Sequence, residues 1–117
     1  MAQIAELGVR VASALTFTES ARALLRARVI RRITPAEERT ALRRLRALEA
    51  QSTVFAMGPD VLTRAGRPFP VEPIRTLEAI HLATLESLGE TPQLVTVVTR
   101  DARIARNARA LGYAVAP

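Results

Sequence analysis

The chain has 117 residues, 49% of them hydrophobic and only 3% aromatic, so its length supports one domain with an aliphatic core. It contains no cysteine, which excludes disulfide bonds and thiolate metal sites and fits a reducing, cytoplasmic setting. The net charge is +6 and all 17 basic residues are arginine, which favours a polyanionic partner such as nucleic acid or an acidic protein segment.

Other classes of function are disfavoured by what the sequence lacks. No apolar run approaches the ~20 residues that a membrane span needs, so no membrane association is expected. The few aromatic residues argue against a platform that stacks single-stranded bases. No glycine-rich phosphate loop or nucleophile elbow is present. Genomic base composition is an alternative reason for arginine in place of lysine, but it does not explain the net charge.

The N-terminal part of the chain predicts a short helix, a strand and a long helix. Residues 2–8 resemble the tail of a helix that stops at a glycine. Residues 9–15 alternate in polarity and predict a strand. Thr16 and Glu19 have the spacing of a capping box, which predicts a helix from there to about Arg32.

The middle of the chain begins with a clearer helix signal. Thr34 is followed by proline and, at the third position, by Glu37, which predicts a capped helix to about Ala50. Residues 52–57 predict a strand and residues 60–65 a short helix, followed by a loop rich in proline and glycine.

The C-terminal part predicts a helix over residues 74–88 and a buried strand over residues 94–98. A helix from Asp101 to Leu111 and a last strand at residues 113–115 follow. Strands that alternate with helices predict an α/β fold with a parallel sheet, here as a single domain over residues 1–117.

Three acidic residues are the candidates for chemistry. Asp101 follows the strand at 94–98 and Glu19 follows the strand at 9–15, so both are expected at the same edge of the sheet. Glu78 lies on the helix that leads into the strand at 94–98, on a stripe that it shares with two leucines, and a carboxylate there needs a partner. Three converging carboxylates would suit a hard divalent cation that activates water near a phosphodiester.

Each acid also has a purely structural interpretation. Glu19 completes a capping box with Thr16. Asp101 is placed to be the N-cap of the last helix. Glu78 is a glutamate of the kind favoured in a first helical turn by the helix dipole.

At these positions the sequence resembles the PIN-domain family, and within it the VapC-like toxins of toxin–antitoxin pairs. Residues 13–19 (SALTFTE) are similar to the segment that carries the family's second acid. Residues 75–83 (RTLEAIHLA) are similar to the stretch with the third, and residues 97–101 (VVTRD) to the strand end with the fourth. The order and intervals of the three motifs agree over essentially the whole chain.

The resemblance implies a Mg²⁺- or Mn²⁺-dependent endoribonuclease that cleaves single-stranded RNA, forms a homodimer and is silenced by a cognate antitoxin. Glu19, Glu78 and Asp101 would be the metal ligands or would position the attacking water. Thr99 and Ser13 would support the site. The alternative is a catalytically inactive PIN module that only binds protein or RNA.

Two departures from the family pattern stand out. The third acid is usually aspartate, and Glu78 has an extra methylene that displaces its carboxylate by roughly 1.5 Å. The family also opens with a central strand that ends in an aspartate, and this strand is expected to be missing here, since residues 1–18 contain only Glu6 as an acid. An upstream start, a degenerate remnant and a rearrangement of residues 1–15 to fill the gap are the three explanations, of which the first is preferred.

The remaining candidates are a histidine and several arginines. His81, the only histidine, is expected to support Glu78 or to carry a proton, with a structural role favoured. Arg100 and Arg103 belong to a series at intervals of three that either contacts RNA phosphates beside Asp101 or covers a solvated helix face. Further arginines lie on the first two long helices, a region that helps to make dimer and antitoxin contacts in VapC-like proteins: Arg26, Arg28, Arg31, Arg32, Arg39, Arg43, Arg44 and Arg46.

Overall fold

The computed structural model of the protein describes residues 2–4 and 9–117. Within them are five strands: β1 Ala2–Ile4, β2 Val9–Ser13, β3 Thr53–Phe55, β4 Val95–Val98 and β5 Ala114–Ala116. The α-helices of the same residues are α1 Ala14–Val29, α2 Pro35–Ala50, α3 Pro59–Ala65, α4 Thr76–Ser87 and α5 Ala102–Ala110, and a 3₁₀ turn at Pro92–Leu94 precedes β4. From β2 onward, the order of elements is the predicted one.

Local signals explain where several helices begin and end. The capping box of α2 is confirmed, because the Thr34 hydroxyl accepts from the Glu37 N–H and the Glu37 carboxylate accepts from the Thr34 N–H, each at 3.1 Å. Gly112, just past α5, has φ +93°, a left-handed conformation that glycine adopts without a steric penalty.

The predicted start of α1 is wrong by two to three residues. The helix begins at Ala14 with Ser13 as its N-cap, so the predicted strand at 9–15 ends earlier, at Ser13. Thr16 and Glu19 therefore lie inside the helix and do not form a capping box. The Ser13 hydroxyl makes no cap hydrogen bond either, because it is engaged by a residue of α4 described below.

The sheet is mixed, with strand order β3-β2-β1-β4-β5. The pairs β2–β3 and β4–β5 are parallel, as predicted, but β1 runs antiparallel to both of its neighbours. The helix predicted over residues 2–8 is wrong for Ala2–Ile4, which form this central strand, and its other residues lie outside the described part of the chain.

The strand β1 lies where the family pattern leaves a gap. Ala2 pairs with Val11 on one side and Val97 on the other, so both neighbouring strands have backbone partners. Residues Ala2–Ile4 thus occupy the central place in the sheet between β2 and β4. Since β2, β3, β4 and β5 all run in the same direction, their carboxyl ends meet at one edge of the sheet.

Helix α4 contributes to both apolar clusters of the core. One apolar cluster joins the sheet to α4 and α5 and includes Leu85, Val95 and Val97. A second cluster joins α4 to α3 and the loop that follows α3, and Leu82 is its fully buried member. Because α4 packs in both clusters, the positions of its polar residues are fixed by the core.

Helices α1 and α2 form a hairpin that is much less buried. Phe17 is the buried residue of α1, and α2 has none. Val29 and Ile30, at the tip of the hairpin, are 63% and 51% exposed. No helix in residues 2–4 and 9–117 is both long and apolar enough to cross a bilayer.

The loop between α3 and α4 is tied to α5 by one buried amide. Asn107 is fully buried, its Oδ1 accepts from the Val71 N–H at 2.8 Å, and its Nδ2 donates to the Val71 carbonyl at 2.8 Å. The same Nδ2 donates to the Arg103 carbonyl at 3.2 Å. A single side chain therefore satisfies both backbone groups of one loop residue.

The core assignment predicts a strong contrast between two leucines of α4. Replacing Leu82, which is 0% exposed, by alanine should lower the free energy of unfolding by about 2–5 kcal/mol because it leaves a cavity. Replacing Leu77, which is 46% exposed, should cost less than about 1 kcal/mol. Urea denaturation followed by circular dichroism measures both, and equal losses would contradict the placement of α4.

Candidate functional site

The carboxyl ends of β2 and β4 carry polar residues at the same edge of the sheet. Ala2 pairs with both Val11 and Val97, so these two residues lie side by side across β1. Ser13 and Thr99 each follow two residues later and are therefore also level with each other. A cavity of about 260 Å³ opens between these strands and the helices α1 and α4. Its polar lining includes Ser13, Thr99 and two further residues, Glu19 and His81, while the rest is mostly aliphatic.

A chain of polar contacts crosses this cavity from β2 to α1. His81 on α4 makes a hydrogen bond through Nε2 with the Glu19 carboxylate, and its Nδ1 lies 2.9 Å from the Ser13 hydroxyl. A carboxylate only accepts hydrogen bonds, so the ring nitrogen that faces Glu19 carries a proton. His81 thus supports Glu19, and not Glu78 as the sequence suggested.

Glu78 has partners of its own at the N-terminal end of α4. Its Oε2 accepts from the Arg75 N–H at 2.8 Å, so the prediction of a first-turn glutamate is confirmed. Its Oε1 lies 3.5 Å from Nη1 of Arg103 on α5. The Glu78 side chain is 13% exposed, so the expectation that this carboxylate needs a partner is also confirmed.

Asp101 caps α5, which confirms its structural interpretation. Its Oδ1 accepts from the Arg103 N–H at 2.8 Å and from the Ile104 N–H at 3.0 Å. The Asp101 N–H in turn donates to the Thr99 hydroxyl at 3.1 Å. The cap uses only one carboxylate oxygen.

The three predicted acids therefore belong to two groups. Glu19 is in the first, with His81 and Ser13, beside the cavity. Glu78 and Asp101 form the second and are linked by Arg103, which contacts one through its guanidinium and the other through its backbone N–H. Helix α4 joins the groups, because its residues 78 and 81 are one turn apart on the same side of the helix.

Glu19, Glu78 and Asp101 are the candidate ligands for a divalent cation. Three carboxylates are a suitable donor set for Mg²⁺ or Mn²⁺, which prefer oxygen ligands. In the described part of the chain, however, no group of three acidic or histidine side chains is placed to hold a metal ion. The present contacts of Glu19, Glu78 and Asp101 do not fit a metal centre.

The predicted RNA contacts differ in their availability. Arg100 is exposed at the end of β4, next to Asp101. Arg103 is half-buried and directed to Glu78, although its side chain is still 43% exposed. The pairing of Arg103 with Glu78 was not predicted, since nothing in the spacing of 25 residues between them indicates that α4 and α5 begin side by side.

Comparison with known proteins gives one partial similarity. Over 55 residues, the chain is 38% identical to "Ribonuclease VapC35" of Mycobacterium tuberculosis, in strain CDC 1551 / Oshkosh and in strain ATCC 25618 / H37Rv. The match includes 47% of this chain and spans 41% of the length of these curated relatives. No family model matches, and no solved structure matches.

The double contact of Asp101 predicts a stability difference between two substitutions. Asp101→Ala removes the cap of α5 and should cost about 1 kcal/mol of the free energy of unfolding. Asp101→Asn keeps a side-chain oxygen that accepts the same N–H bonds and should cost much less. Chemical denaturation at neutral pH measures both variants, and an Asp101→Ala protein as stable as the unsubstituted chain would disprove the cap.

Proposed function

We propose that the protein is an endoribonuclease of the VapC type that cleaves single-stranded RNA and belongs to a toxin–antitoxin pair. The observation that carries the proposal is the 38% identity with a ribonuclease over 55 residues. Two structural features support it: parallel strands whose carboxyl ends meet at one edge, and acidic residues grouped at that edge. The positive net charge suits a polyanionic substrate.

Glu19, Glu78 and Asp101 are proposed as the acids of the site, with Mg²⁺ or Mn²⁺ as its cation. A bound cation would supply charge neutralisation at a phosphodiester and a more acidic water. For these three acids to share it, Glu78 has to leave Arg103 and Glu19 has to leave His81. Asp101 needs no such change, because its cap engages Oδ1 and not Oδ2.

His81 is proposed as a positioning residue and as a carrier of protons at the cavity. It is the only histidine of the chain, and it bridges a hydroxyl and a carboxylate through its two ring nitrogens. An imidazole held through both ring nitrogens keeps one orientation. Ser13 fixes the ring from the side of the sheet, at the cost of the cap hydrogen bond of α1.

RNA is proposed to approach over the N-terminal end of α5. Arg100 at the end of β4 and Arg106 on α5 are exposed and can contact phosphates, with Arg103 nearest to the acids, while Arg109 lies in the last turn of the helix. The antitoxin and a second copy of the chain are assigned to the hairpin of α1 and α2, where Val29 and Ile30 are exposed. Together with these partners, a cytoplasmic location is proposed.

A second candidate function is a PIN-like module that binds protein or RNA without cleaving it. The observation in its favour is that every proposed acid already has a protein partner: a histidine, an arginine or the N-terminal end of a helix. In that case the ion pairs are permanent structural contacts, and the surface alone is functional.

Cleavage of single-stranded RNA in the presence of Mn²⁺ separates the two functions. Loss of a group that only supports a metal ligand typically lowers activity by about 10–100-fold, and we expect Asp101→Asn to lower the cleavage rate by more than that. The variant should stay folded, because the asparagine oxygen can still cap α5. Asp60→Asn removes the same charge from the exposed start of α3 and is the matched control. Equal rates for Asp101→Asn and the unsubstituted chain would refute the catalytic role. A folded chain that binds RNA without any cleavage supports the binding module.

The RNA path can be tested separately, without divalent ions. Arg100→Gln should reduce the slope of log affinity against log salt by about 0.7, as expected when one phosphate contact to single-stranded RNA is lost. Arg39→Gln on α2 changes the charge equally but lies on the hairpin, and it should leave the slope unchanged. Fluorescence anisotropy with a labelled oligonucleotide measures both slopes. If Arg39→Gln has the larger effect, the path runs along the hairpin and the assignment to α5 is wrong.

A further inference from the structure

The turn between α1 and α2 holds one arginine in an unfavourable backbone conformation. Arg31 has φ +61°, and among the described residues it is the one residue other than glycine with a positive φ. Its N–H donates to the Arg28 carbonyl at 3.0 Å, and the Arg32 N–H donates to the Ala27 carbonyl at 2.8 Å. Helices that end with this pair of hydrogen bonds usually have glycine at this position, because glycine has no Cβ to clash. An arginine here costs stability, which indicates that its side chain has a use.

Positive charge is concentrated on the same hairpin. Nine of the 17 arginines and four of the 11 acidic residues lie in residues 14–50, so the hairpin has a net charge of +5 out of +6 for the whole chain. In the described part of the chain, Arg28 is the hairpin arginine that forms an ion pair, at 2.8 Å from Glu38. Arg31 and Arg32 are exposed, and their charges are therefore available to a partner.

Aliphatic side chains accompany these charges. Val29 and Ile30 directly precede Arg31 and are 63% and 51% exposed. The four residues 29–32 are all exposed and are called the hairpin tip below. A partner that covers the hairpin tip must supply both apolar contact and negative charge.

We propose that the hairpin tip binds an acidic protein segment that carries aliphatic side chains between its carboxylates. A carboxylate of the segment binds the Arg31 guanidinium through two hydrogen bonds, and the aliphatic side chains cover Val29 and Ile30. The inference rests on the proposed function, in which the antitoxin and a second copy are both assigned to the hairpin. It gives the tip to the antitoxin and states the chemistry of the segment that binds there.

Two other occupants fit the hairpin tip less well. A nucleic acid supplies negative charge, but its phosphates gain nothing from Val29 and Ile30. A second copy brings the same positive hairpin, and the rest of its chain has a net charge of only +1, so it offers no excess of acidic residues. An acidic, aliphatic segment matches both the charge and the apolar surface.

Two synthetic peptides are the probes for this inference. The first is a short, fluorescently labelled peptide of glutamate and leucine, and the second has serine in place of each leucine. Fluorescence anisotropy with the full chain measures both affinities. The leucine peptide should bind at least about tenfold more tightly, because its side chains bury apolar area against Val29 and Ile30. Equal affinities, or no binding of the leucine peptide, would overturn the proposal.

Substitutions of Arg31 separate the effect of its charge from that of its backbone. Arg31→Gly should weaken binding of the leucine peptide about tenfold and yet raise the melting temperature by roughly 2–5 °C, because it removes the unfavourable conformation. Arg31→Gln should weaken binding similarly without this rise, because it keeps the backbone conformation. If Arg31→Gly binds the peptide as well as the unsubstituted chain does, the arginine has no role in recognition.

Arg22→Gln is the matched control, because it removes the same charge from an exposed position earlier on α1. At about 0.15 M salt, where charges more than about 8 Å apart are largely screened, it should weaken the leucine peptide less than about twofold. A loss equal to that of Arg31→Gln would show a general charge effect and would refute a specific site at the tip.

Val29→Ser/Ile30→Ser tests the apolar part of the hairpin tip. This variant should lose the preference for the leucine peptide, while sedimentation velocity shows an unchanged oligomeric state. Dissociation of a dimer would instead assign the tip to a second copy. A loss of RNA affinity in Arg31→Gln with unchanged peptide affinity would assign it to nucleic acid, and either result contradicts the proposal.

Failure of this inference is distinguishable from failure of the ribonuclease activity. If the tip variants weaken the leucine peptide but the chain cleaves no RNA with Mn²⁺, the acidic segment keeps its place and the proposed activity fails. If RNA is cleaved and the leucine peptide does not bind, the activity stands and the assignment of the tip is refuted.

Discussion

The pairing of a three-residue strand at the centre of the sheet is the constraint on which the arrangement of this protein depends. β1 provides backbone partners for β2 and β4 at once, and through Ala2 it fixes their relative register. Ser13 and Thr99 are brought to one level by this register, and the helices that follow the two strands begin there. Without a strand in this place, the inner edges of β2 and β4 would hold unpaired backbone groups.

The carboxylates at that edge have their partners within the chain itself. Carboxylates that are partly removed from water need positive partners or N–H donors, and here they receive a histidine, an arginine and the N-terminal end of a helix. The same contacts explain why no metal centre is preformed in the described residues.

Much of the fold was predictable because its signals are local. Thr34 and Glu37 define the start of α2, and Asp101 defines the start of α5. The β-branched run ending at Val98 defines a strand, but the prediction that it is buried throughout is wrong, since Val95 and Val97 are buried and Val98 is exposed. The N-terminal strand was not predictable, since three residues have no periodicity and their pairing is decided by partners far along the chain. For the candidate site, the acids could be proposed from their positions after strands and on α4, but the partners of Glu19 and Glu78 depend on how α1, α4 and α5 pack.

The buried amide of Asn107 has a mechanical consequence for this region. It binds both backbone groups of Val71 and also the carbonyl of Arg103, so the proline-rich loop is fastened to helix α5. That loop leads directly to Arg75 and the first turn of α4. A displacement of this loop would therefore act on the starts of α4 and α5 together. The spacing of the carboxylates at these two helix starts is thus coupled to an uncharged residue, Val71.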